Sequence, residues 1–203
     1  MSIFNMMWPK KDDDPIKEYA LDARIGSTVL LDTSHLLVND NVINFGKELP
    51  MDYNVVALST FDIDGLLIND IHIYNDENDV ELTIRVFDEN EIVIYNQIDQ
   101  EFPGEWDIWL DPKFGKFNVE TLNVHDTDYD KQWVVRDKFT VSYSTIEDCT
   151  GNIIENTFEV TNCSLFSREI YGIGYEYIYI TNEEGEINTY MGIDFNKNAI
   201  TVN

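Results

Sequence analysis

The chain has 203 residues, of which 39 are acidic and 13 basic, giving a formal net charge of −26. Hydrophobic residues make up 43% and aromatics 13%, enough for a packed core, so the acidity does not imply global disorder. A surface of this charge repels phosphates, which argues against direct nucleic-acid binding and against anionic lipid; a basic protein or a cation is the natural partner.

Met1 to Trp8 is apolar but has no basic region and no cleavage-like site, so it is not read as a signal peptide; a frayed terminus is the first reading, and a segment resting on a membrane or on a partner is the second. Lys10-Lys11-Asp12-Asp13-Asp14-Pro15 is a charged linker; three adjacent aspartates on an extended chain diverge and do not converge on calcium. Ile16 to Ala23 is expected as a short helix. Residues 1–23 are then an N-terminal tail before a β-rich unit over 24–203. Arg24-Ile25-Gly26-Ser27 turns into a first strand, Thr28 to Asp32. Thr33 to Asp40 is ambiguous, with Ser34 as the candidate cap of a helical turn. His35 shows no partner in the sequence.

Asn54 to Ile98 reads as four consecutive strands. Asn54 to Ile63 and Leu66 to Tyr74 are apolar and β-branched, and Asp64-Gly65 between them is a hairpin signal. Val80, Leu82, Ile84 and Val86 alternate with Asp79, Glu81, Thr83 and Arg85, so one face is expected apolar and the other wet. Glu91 to Ile98 is the fourth run. Between Glu48 and Asp111 there are 17 acids and one base, Arg85. A sheet that buries one face must put those acids on the other face or in turns. Asp62, Asp70, Asp76, Glu77 and Glu81 are therefore candidates for a partner-binding surface, against a merely solvated face.

Phe102-Pro103-Gly104-Glu105-Trp106 marks a turn. Trp106 and Trp109 are three apart, which is not strand spacing, and they sit beside Asp107 and Asp111. Trp106, Asp107 and Trp109 are candidates for a site where rings and carboxylates both attract a cation; core or rim packing is the plainer reading. Asp126, Asp128 and Asp130, with Asp137 at the twelfth position, have the alternation of a calcium loop. Lys131 stands where that loop needs glycine, and no helix flanks it, so an acidic β-turn competes with the metal reading.

Lys138 to Thr145 and Thr157 to Tyr171 read as strands. Gly172-Ile173-Gly174 is a turn, without the third glycine and helix of a dinucleotide loop. Glu176 to Thr181 and Ile187 to Phe195 read as a hairpin, and Ile200 to Val202 as an edge strand. The fold class expected is mainly β: antiparallel meander sheets forming a sandwich or barrel-like unit with few short helices. The halves 24–112 and 113–203 form one continuous structure or two packed lobes, since no flexible linker separates them.

Enzyme chemistry finds little support. His35, His72 and His125 share no ligand spacing, and there is no phosphate loop or nucleophile elbow. No cofactor is expected. Cys149 and Cys163 are too few for a disulfide framework and are expected as thiols in a reducing cytoplasm. No apolar run reaches the length of a membrane span.

Four passages carry a family resemblance. Arg24-Ile25-Gly26 leads to Leu31-Asp32. Ile71-His72-Ile73-Tyr74-Asn75-Asp76 precedes Leu82-Thr83-Ile84. The turn at Trp106 follows. The tail holds Leu165-Phe166-Ser167-Arg168-Glu169, Glu176-Tyr177-Ile178-Tyr179-Ile180 and Tyr190-Met191-Gly192-Ile193-Asp194. Together, over about residues 20 to 203, they resemble the YjfK-like bacterial family, with His72 where an arginine is expected and an unusually acidic chain. The resemblance implies a soluble β-rich protein with no assigned catalytic residues. It also implies an accessory role beside a membrane-stress system of the phage-shock type, cytoplasmic and peripheral to the inner membrane. The leading expectation is an acidic interaction protein that docks a basic or membrane-associated protein. The alternatives are a nucleic-acid mimic that inhibits a DNA-binding protein and a divalent-cation-binding module.

Overall fold

Runs that alternate in sequence become strands, and two of them are long enough to serve two neighbours along one edge. The computed structural model describes residues 20–37, 43–46, 49–63, 66–87, 91–104, 107–111, 113–135, 139–146 and 152–203. Its strands are β1 Thr28–Leu31, β2 Asp52–Ile63, β3 Leu66–Asn75, β4 Val80–Val86, β5 Ile92–Glu101, β6 Thr121–Val124, β7 Thr127–Val135, β8 Phe139–Ile146, β9 Ile153–Ile170, β10 Gly174–Glu183, β11 Glu186–Asp194 and β12 Ile200–Val202. Single helical turns, α1 Ser34–Leu37 and α2 Asp107–Leu110, lie between them.

Eight strands close on themselves in the order β2, β3, β4, β5, β11, β10, β9, β8 and back to β2, every pair antiparallel. The barrel therefore takes four strands from each half of the chain. Closure pairs the edges that an open sheet would expose. The long strands make it possible. The start of β2 pairs with β1, and its later residues Ala57 to Phe61 pair with β8. The first part of β9 pairs with β8 and its later part, Cys163 to Ser167, with β7. Outside the barrel, β12 continues the sheet beyond β1, and β6 continues it beyond β7. Register shifts at Val55/Ala57, Asn182/Glu183 and Thr189/Tyr190 bend the wall, as bulges do.

Two apolar clusters lie on opposite faces of the central strands. Ile71, Ile73, Leu82, Ile84, Ile94, Ile178, Ile180, Met191 and Ile193 form the outer one, covered by Phe45, Trp109, Phe117, Tyr129 and Phe195. Phe61, Ile68, Val93, Tyr95, Val141, Val160, Cys163, Leu165 and Tyr179 form the inner one, in the barrel lumen. This corrects the expectation of one buried and one wet face. Thr83 and Arg85 alternate with apolar residues on β4, yet they face the lumen, because the sheet curls round on itself.

Other expectations are met in part. The strands joined by Asp64-Gly65 pair as a hairpin up to Ile63 and Leu66, while the dipeptide itself lies outside the described residues. Half of the expected helix Ile16 to Ala23 also lies outside them; of the rest, Ala20–Asp22 is a 3-10 turn. The helical turn at α1 is capped by Asp32, not Ser34: the Ser34 amide donates to Asp32 Oδ1 at 3.0 Å. The aspartate-rich stretch forms the hairpin β6–β7, with His125 and Asp126 at positive φ in its turn. Asp128 and Asp130 point out and Tyr129 points in, a period-two pattern hidden by the acids. Val202 pairs with Val29, and β12 is an edge strand as expected.

Candidate functional site

The lumen carries a charge pair at its centre. Asp70 on β3 and Arg85 on β4 are direct register partners. Arg85 Nε donates to Asp70 Oδ1 at 2.9 Å and its Nη2 to Oδ2 at 2.8 Å, a bidentate pair. Both are buried, at 4% and 9% exposure. Burial disfavours the guanidinium charge, but the carboxylate outweighs it and holds Arg85 above its ordinary value. Three rings surround the cation, Phe61 and Tyr95 at 5.0 Å and Tyr179 at 4.6 Å from their centroids. Gly192 makes room for one of them, since a Cβ there would lie 2.5 Å from Tyr95.

Beside the pair, His72 on β3 is held between two hydroxyls. Ser59 Oγ lies 3.0 Å from Nε2 and Thr83 Oγ1 3.2 Å from Nδ1. Its ring meets Tyr143 edge-on at 5.4 Å. Burial pushes the imidazole below its ordinary value, and hydroxyls at both nitrogens suit the neutral ring. Glu183 at the end of β10 accepts from Thr181 Oγ1 at 2.6 Å and Asn188 Nδ2 at 3.2 Å. Burial pushes its carboxyl up. These groups line a cavity of about 70 Å³, room for a few waters.

The chemistry of this interior is that of a satisfied polar core. Ser59 and His72 have the reach of a nucleophile and base, but the group orienting the ring is the hydroxyl of Thr83, not a carboxylate. The pairing favours the observed register of β3 on β4. A one-residue slip of β3 against β4 would turn Asp70 out of the lumen and leave Arg85 buried without its carboxylate.

A second buried carboxylate works on the outer face. Glu176 on β10 is fully buried and accepts from the Asn44 and Phe45 amides, each at 2.7 Å, from the Tyr129 hydroxyl at 2.8 Å and from Arg168 Nε at 2.7 Å. It ties residues 44–45, β7 and β9 to β10. Burial and this carboxylate push the Tyr129 hydroxyl up to about 12, against the Asn44 bond that lowers it.

The expected surface residues divide. Asp62, Asp76, Glu77 and Glu81 are exposed, with Asp76 and Glu77 in the β3–β4 turn. Asp70 is not on the surface; its strand position faces the lumen and Arg85 holds it there. Trp109 is buried at 3%, tilted against Phe117 at 5.8 Å, and the cation over its ring is the chain's own Lys116, 4.0 Å from the centroid. Trp106 lies outside the described residues, and of Asp107 the structure describes only its place at the start of α2. Asp128 accepts from Asn123 Nδ2 and Asp130 from Thr121 Oγ1 across the β6–β7 hairpin. Among the described residues no three His, Cys, Asp or Glu side chains gather as metal ligands would; Asp137 lies outside them. Cys163 is a buried thiol on the lumen face of β9, and Cys149 lies outside the described residues.

Sequence reasoning missed the Asp70–Arg85 pair, His72 and Glu183 as a group. One signal was present: a lone base among 17 acids, set in an apolar strand, needs a reason to be there. Fold and interior together define an eight-stranded antiparallel barrel with a charge-paired, aromatic lumen. Comparison with protein-family models, curated proteins and solved structures finds no match to this chain. No described helix is long and apolar enough to cross a membrane.

Proposed function

We propose that this protein is a non-enzymatic interaction module that docks a basic partner through the acidic turns and strand ends of the β2–β5 meander. One observation carries the reading. Arg85, the single base between Glu48 and Asp111, is taken into the barrel and neutralised by Asp70, while Asp52, Asp62, Asp76, Glu77, Asp79, Glu81, Glu91 and Asp99 stay exposed. Every exposed ionisable side chain described in that stretch is thus an acid. Such a field steers a basic partner from a distance and selects against acidic ones. The resemblance to the YjfK-like family supports placing the partner in a membrane-stress system at the cytoplasmic side of a bacterial inner membrane.

The test is a tagged pull-down from the source cell, with cytosol and membrane fractions kept apart, at low and high salt. A Glu77→Lys, Glu81→Lys variant runs in parallel. The partner is expected at low salt, and to be lost at high salt and in the variant. Retention under all conditions would refute the electrostatic reading. A DNA-binding protein released by added duplex DNA would replace it with nucleic-acid mimicry.

A further inference from the structure

A cleft of about 1090 Å³ opens where the ends of several elements meet. Its walls are the start of β5, the β9–β10 turn with the first residues of β10, the segment after β11 and the turn α1. The volume is at the top of the range for bound ligands, far more than a single small cation fills.

Its lining is both aromatic and acidic. Tyr175 and Tyr177 stand side by side, centroids 6.2 Å apart, and His35 packs edge-on against Phe195 at 4.9 Å. Tyr175 is 46% exposed, and the neighbouring Tyr171, in the β9–β10 turn, is 96% exposed. Asp32, Glu91 and Asp194 supply carboxylates against one lysine, Lys197. Two of these acids are held in place. Asp32 caps α1, and its bonds to Ser34 keep its carboxyl below the usual value. Asp194 accepts from the Tyr175 amide and the Tyr177 hydroxyl, each at 2.8 Å. Gly174, at φ 128°, is what lets the chain pass: a Cβ there would run into Asp194 Oδ2. Burial raises the Asp194 carboxyl against those two bonds, so a cation beside it would favour its charged form.

Exposed ring faces next to fixed carboxylates attract ammonium and guanidinium groups by two routes at once, ring quadrupole and charge. A cleft of this volume suits a peptide segment better than an isolated amine. We infer that the cleft seats a lysine- or arginine-bearing segment of a partner protein. The inference rests on the docking reading above and adds to it a second point of contact, at Glu91 and the start of β5, apart from the β3–β4 turn.

Fluorescence anisotropy with fluorescein-labelled hexa-arginine, and hexa-glutamate as the control, tests it on the full chain. Tyr175→Ala removes a ring and no charge. Glu91→Gln and Glu77→Gln remove the same charge, the first at the cleft and the second in the β3–β4 turn. Hexa-arginine is expected to bind. Tyr175→Ala should weaken it about three- to fivefold, and Glu91→Gln about two- to fivefold. Glu77→Gln should change it by less than about twofold. Circular dichroism melts confirm that each variant is folded. Equal weakening by Glu91→Gln and Glu77→Gln, with Tyr175→Ala silent, overturns the cleft and leaves the docking reading standing. Absence of hexa-arginine binding, or binding indifferent to salt, overturns both.

Discussion

Arg85 carries a charge into the barrel because Asp70 meets it there with both oxygens. Breaking such a pair from one side leaves an uncompensated buried charge, which costs about 3–5 kcal/mol, whereas replacing both partners with apolar residues is often neutral. Asp70→Ala is therefore expected to lower unfolding free energy in urea by about that amount, and Asp70→Leu with Arg85→Met by much less. A single-variant loss below about 1 kcal/mol would mean that water reaches the pair. His72 makes a pH-dependent contribution whose sign follows from its burial. Its folded value lies below the ordinary 6.5, so in the window between the two the unfolded chain binds a proton that the native ring refuses. Stability then falls as pH drops through that window. Urea titrations from about pH 7.5 downward should show a shallower decline for His72→Gln than for the parent chain. Glu183 works oppositely, since its raised carboxyl takes up a proton in the native state first. The comparison of the two chains isolates the histidine.

At the scale of elements, β9 and Glu176 matter most. β9 spans 18 residues because it closes the barrel through β8 and then supports β7. Glu176 joins residues far apart in the chain, Asn44 being 132 positions away. Glu176→Gln keeps the shape but removes the charge that Arg168 and two amides answer. The cost is expected at about 3 kcal/mol. Amide hydrogen exchange should accelerate at Asn44 and Phe45 and stay unchanged in the centre of β4; uniform acceleration would show global rather than local loosening. Both helical turns are short and held from outside, α1 by Asp32 and α2 by packing of Trp109 on Phe117. Their sequences carry no helical period of their own, so the first was signalled only by a candidate cap at Ser34 and the second only by a tryptophan spacing that does not suit a strand.

The whole molecule has a net charge of −26, and most of its described acids are outside. Self-repulsion of that size weakens the compact state, and salt screens it. Raising salt from about 0.01 M to 1 M shortens the screening length from about 30 to 3 Å. The melting temperature should rise over that range; a fall would mean that ion pairing outweighs the repulsion. Strand identity, the antiparallel meander and the acidic exterior were legible in the sequence. Side-chain period and turn chemistry act over a few residues, and the charge is a sum over composition. Val80 to Val86 shows where that reading stops. Alternation correctly marked two unlike faces, but not that the polar one would be enclosed. Whether Thr83 and Arg85 meet water depends on β8 closing the gap between β2 and β9, and on Phe61, Tyr95 and Tyr179 arriving from three other strands. The same closure took Asp70 off the surface and left Glu77 on it. Local periodicity sorts side chains between the two faces of a strand; only the closing of the sheet decides which face is inside.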